Sequence, residues 1–125
     1  MLIQIPVSIG ELVDKITILS TKTQRLEGVA LDHVRQELGL LEKALVDSGI
    51  KLEPRERSDL EEVNKKLWDI EEAIRRQETE QSFGTDFVAL ARSVYRWNDE
   101  RAAMKRAINQ RHGSTLIEEK SCSSL

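Results

Sequence analysis

The residues best suited to chemistry in this chain are Asn98, Arg101, Lys105 and Asn109, spaced three and four apart near the end of its last long amphipathic stretch. Upstream, the same stripe is apolar through Phe87, Leu90, Ala91, Val94 and Trp97. At about 100° per residue, the preceding helix places Asn64, Glu71 and Glu78 in mid-stripe, and the first helix places Ser20 and Thr23 there. An unpaired charge inside such a stripe would be costly, so two readings stand. In one, a cleft holds a carboxylate or phosphate: Arg101 and Lys105 bind the anion, Glu71 orients them, and Asn64, Asn98, Asn109, Ser20 and Thr23 donate or accept neutral hydrogen bonds. In the other, which the residue types favour, Glu71 bridges to Arg101, within the chain or across a subunit boundary, and fixes helix register.

The elements that must position these residues follow from caps and periodicity. Ser8-Ile9-Gly10-Glu11 reads as a capping box that starts a helix at Ile9, with Leu12, Val13, Ile16 and Leu19 on its stripe and a stop at Glu27-Gly28. Ile18, on the opposite side, suggests that this helix is covered from two directions. A second helix is expected over residues 32–48, with Val34, Leu38, Leu41 and Leu45 inward and Gly49 as its stop. The stretch around Pro54 reads as a loop, and Ser58-Asp59-Leu60-Glu61 reads as a second capping box opening a helix to about residue 81. Thr85 is the expected cap of the last helix, which stops at Gly113. The alternation of Ile3, Ile5 and Val7, and the segment 115–120, suggest a short strand pair at one end.

The expected architecture is all-α: an antiparallel bundle of about four helices with that terminal strand pair, in one domain over residues 1–120, and a disordered tail over 121–125. The 125 residues carry 19 basic against 22 acidic side chains, a net charge of -3, which argues against nucleic acid or an anionic membrane as the main partner. No apolar run is long enough for a membrane span and no signal peptide is read, so the cytoplasm is the expected location. The single cysteine, Cys122, excludes an internal disulfide and reads as a passive tail residue. His33 and His112 lack ligand-spaced partners, and no glycine-rich phosphate loop or nucleophile elbow is present, so no metal or cofactor is expected. Long helices with apolar residues on more than one side point to a homo-oligomer, a dimer first, with a protein partner or a small anionic ligand as the other occupants.

Two segments carry a resemblance. Residues 6–19, from Pro6-Val7-Ser8 to Ile18-Leu19, and the series Leu90-Ala91-Arg92-Ser93-Val94-Tyr95, Asn98-Asp99-Glu100-Arg101-Ala102 and Lys105-Arg106-Ala107-Ile108-Asn109 resemble a family of small uncharacterised helical proteins of bacteria and phages. Asn64, Leu67, Trp68, Asp69 and Ile70 extend the likeness across nearly the whole chain. The resemblance implies no established activity; it implies that the polar stripe is part of the family pattern and that such proteins occur near or fused to glycosyltransferase-type sequences. A looser likeness, through Val13-Asp14 and Arg25, is to the all-helical chorismate mutases, and it implies an enzyme acting on a dicarboxylate. The preferred function is a non-catalytic helical module for oligomerisation or protein interaction, with a small-anion-binding protein or enzyme as the alternative.

Overall fold

The computed structural model describes residues 1–120 and holds four helices: α1 (Ile9–Arg25), α2 (Gly28–Asp47), α3 (Pro54–Thr79) and α4 (Thr85–His112). Among the described residues there is no strand. Residues 121–125, with Cys122 and the expected disordered tail, lie outside that description.

Local chemistry sets the helix ends. The Ser8 hydroxyl accepts from the Glu11 amide at 3.0 Å and starts α1 as expected, but the Glu11 carboxylate turns away to Lys105 instead of back to Ser8. α2 begins at Gly28, earlier than the periodicity suggested, because Gly28 takes φ +64 and lets the chain re-enter a helix three residues after α1 ends. α3 likewise begins at Pro54, a residue whose ring presets a helical φ at the first position. Glu56 accepts from the Glu53 amide at 2.8 Å, so the capping interaction lies upstream of Ser58, which is inside the helix. α3 ends in a Schellman motif, with Ser82 donating to Gln77 and Gln81 to Glu78, and Gln81 itself at φ 53. Gly84, not Thr85, is the cap residue of α4, and Gly113 at φ +67 stops it as the sequence suggests.

The expected strand pair does not form, although its two segments do meet. The Ile9 amide donates to Ser114 Oγ at 3.1 Å, and Ser8 Oγ donates to Glu118 at 2.7 Å. The C-terminal segment therefore satisfies the start of α1 through side chains, and Pro6 beside that junction has no amide to offer a ladder.

α1 is the central element and packs against each of the other three, while α3 and α4 also pack together. Val13, Leu60 and Ile108 form the buried centre, with Ile9, Leu52 and Met104 against it. Ile16 and Leu19 on α1 and Val63 and Leu67 on α3 extend it, and Val34 and Leu45 fasten α2 onto α1. The start of α3 meets the end of α4, where His112 and Arg111 face Glu56 and Glu53. Farther along, Lys66 lies over the Trp97 ring at 4.2 Å. At 1.5 Å per residue, the 17-residue α1 is about 26 Å long, whereas α3 and α4, at 26 and 28 residues, are about 40 Å. The two long helices therefore run past the end of α1. Arg25, its last residue, already meets Asp69 at 2.7 Å.

Candidate functional site

The polar stripe of α4 faces α1. Gly10, Asp14, Thr17 and Thr21, spaced four, three and four apart, make a buried small-and-polar face on that helix. Asp14 is its centre, with its side chain 1% exposed. Arg101 Nε donates to Asp14 Oδ2 at 3.2 Å, Arg101 Nη2 is in ion-pair contact with it at 3.1 Å, and Lys105 Nζ stands 3.8 Å from the same oxygen. The Asn64 amide donates to Asp14 Oδ1 and to Thr17 Oγ1, each at 2.9 Å, and Thr17 donates in turn to the Asp14 carbonyl at 2.7 Å. Lys105 completes the set through Glu11 at 2.5 Å. Two acids and two bases thus neutralise one another, and the buried carboxylate receives donors on both oxygens.

One turn further along α4, Asn109 Oδ1 accepts from the Gly10 amide at 2.6 Å, with the Asn109 side chain buried. A Cβ on Gly10 would stand 2.5 Å from the Lys105 carbonyl oxygen, so glycine is what allows the helices this close. The absent side chain and the Asn109 amide act together: the close approach puts the carboxamide within reach of an α1 amide that no residue of its own helix can satisfy.

The expected site residues divide accordingly. Arg101, Lys105, Asn109 and Asn64 converge on α1, and Asn98, which is exposed, accepts from Arg101 Nη1 at 3.4 Å. Ser20 and Thr23 do not join them; Ser20 donates to Glu61 at 3.3 Å and Thr23 to the Ser20 carbonyl at 2.6 Å. Glu71 does not bridge to Arg101. It is exposed on α3 beside Trp68, Glu72 and Arg75, and Asp14 takes the place expected for it. Seven residues separate Glu71 from Asn64, about 10 Å along the axis, so a shared stripe does not bring Glu71 to the level of Arg101. Asp14, Thr17, Gly10 and Glu11 were missed as site residues, although the 10-14-17-21 spacing was a readable sign of a second packed face.

The open groove nearest this network lies between α4 and the C-terminal segment, lined by Lys105, Arg106 and Asn109 and by Glu118 and Glu119. Lys120 lines it too, so three bases stand against two acids, but Arg106 is paired to Glu119 at 3.1 Å, Lys120 to Asp99 and Lys105 to Glu11. A separate charged cluster ties α3 to the end of α4. His112 Nε2 lies 2.9 Å from Glu56, whose carboxyl is pushed up by burial but held below its usual range, on balance, by the Glu53 amide, His112 and Arg111. Among the described residues no group of three or more His, Cys, Asp or Glu side chains stands together to hold a metal ion, and no helix is long and apolar enough to cross a membrane.

Residues 3–124 match the model of a family of unknown function, DUF6165, and the chain belongs to that family. No curated protein matches the chain, and no solved structure does.

Proposed function

We propose that this chain is a single-domain, non-catalytic helical module, an antiparallel bundle that oligomerises or binds another protein. The observation that carries the reading is where burial stops. On α3 no residue beyond Leu67 is fully buried, and on α4 none is before Ile108, yet apolar residues continue through Ile70, Ile74, Phe87, Leu90 and Val94. Phe83 and Val88 at the tip are 52% and 50% exposed. A two-helix hairpin can bury only its own seam, so in residues 70–97 that seam stays partly open beyond the reach of α1, with Phe83 and Val88 outside it.

The rival reading, a small-anion site at Arg101 and Lys105, has less support. Both cations already serve Asp14 and Glu11, so an incoming anion would have to displace a buried carboxylate from its donors. The likeness to bacterial and phage proteins near glycosyltransferase-type sequences supports a role beside cell-surface carbohydrate synthesis, in the cytoplasm of a bacterium or a phage-infected cell.

A thermal-shift screen against inorganic phosphate, a nucleotide sugar and a prephenate-like dicarboxylate tests the choice. The expected result is no shift. An anion at 100 times its dissociation constant would add about 2.7 kcal/mol and raise the melting temperature by several degrees. Such a hit, lost in an Arg101→Ala variant that still folds, would replace the module with an anion-binding protein.

A further inference from the structure

We infer that the occupant of the exposed α3–α4 hairpin is a second copy of this chain, hairpin against hairpin about a two-fold axis, with α3 of one copy beside α4 of the other. The inference rests on the interaction-module reading above and names its partner.

Charge is the first argument. The ion pairs found among the described residues tie the body of the molecule together, from Lys15–Glu37 to Arg111–Glu53, and none involves a residue between 70 and 98. The hairpin is nevertheless highly charged, and its two helices differ in sign. Residues 70–80 hold four acids (Glu71, Glu72, Glu78 and Glu80) against two arginines; residues 85–97 hold Arg92 and Arg96 against Asp86. A two-fold pairing that sets α3 against α4 of the other copy brings the acidic edge to the basic edge twice, as an isologous contact does. Setting like helix against like would oppose net excesses of the same sign.

Size is the second. From residue 85 to 97 the hairpin is about 20 Å long, and two helices side by side are also about 20 Å wide. The footprint is then about 400 Å² per copy. That lies below the roughly 800 Å² per partner of a standard stable interface, so the contact belongs to the weak, reversible class. Closing it would complete a four-helix arrangement in which Phe83 and Val88 leave water.

Sedimentation equilibrium of the full chain over a wide concentration range is the experiment, with helicity checked by circular dichroism. The expected result is a reversible monomer–dimer equilibrium that Val88→Glu weakens by at least about tenfold, the equivalent of 1.4 kcal/mol. The pair Arg92→Glu and Arg96→Glu should weaken it similarly, and adding Glu71→Arg and Glu78→Arg to the same chain should restore it. A wild-type chain that stays monomeric at all concentrations overturns the inference, as does a dimer that Val88→Glu leaves unchanged. Charge reversal without rescue overturns the α3-to-α4 pairing. A monomeric result leaves the module reading to its own test, the anion screen.

Discussion

Truncating Arg101 to alanine should be among the most damaging single changes on α4, for a reason visible around Asp14. The Asp14 side chain is 1% exposed, and its Oδ2 accepts from Arg101 Nε and is paired with the guanidinium, Nη2 standing 3.1 Å away. The truncation removes a charge-assisted donor and the nearest full positive charge. Breaking one side of a buried ion pair typically costs about 3 to 5 kcal/mol, because the remaining charge stays desolvated. Two features place this site at the lower end. Lys105 remains 3.8 Å away, and the Arg101 side chain, 30% exposed, would leave a space that water can enter. The expectation is a loss of about 3 kcal/mol, or about 10 °C in melting temperature for a domain of this size. Urea denaturation followed by circular dichroism measures it, at a single low protein concentration so that self-association does not move the midpoint. Asp14→Ala and the double variant complete the cycle, and the double loss should fall short of the sum by at least about 1.5 kcal/mol. A loss under about 1 kcal/mol for Arg101→Ala, or simple additivity, would refute the view that this pair fastens α1 to α4.

Gly10→Ala should destabilise the chain by about 2 to 3 kcal/mol, read in the same denaturation assay, since the new methyl would meet the backbone carbonyl of Lys105 at 2.5 Å and a backbone cannot rotate aside. A variant as stable as wild type would show that α1 and α4 are not held this close. Glu56 supplies a pH dependence with a definite sign. Its folded-state pKa lies below the usual 4.5, so its contribution is complete above that value and is lost as pH falls through the folded value. The stability gap between wild type and Glu56→Gln should therefore be largest near neutral pH and shrink as the medium is acidified below 4.5; a gap that widened on acidification would contradict the pairing with Glu53, His112 and Arg111.

Much of the helical outline was legible because its causes are local. The Ser8 hydroxyl reaches an amide three residues away, and Gly49 and Gly113 stop α2 and α4 through backbone freedom that needs no neighbour. The starts of α2 and α3 were placed late because Gly28 and Pro54 begin a helix by conformation, before any apolar period is visible. The terminal segments alternate like strands, yet Ser8 and Ser114 draw them together through side-chain hydrogen bonds. A pattern of side chains does not determine where unpaired amides find acceptors.

For the candidate site, the amino-acid order alone determined that Asn98, Arg101, Lys105 and Asn109 share one face of a helix, because angular position depends only on residue number and helical pitch. It determined too that charges there needed partners. Which partners these are was decided by axial level and by distance between helices, and only the tertiary structure sets those. Glu71 has the right angle and the wrong height, while Asp14 has both because Gly10 lets α1 come close enough to α4 for Arg101 to close on it. The different lengths of α1 and of the α3–α4 pair are likewise written in the sequence, but the uncovered hairpin appears only once packing shows where α1 ends beside Asp69.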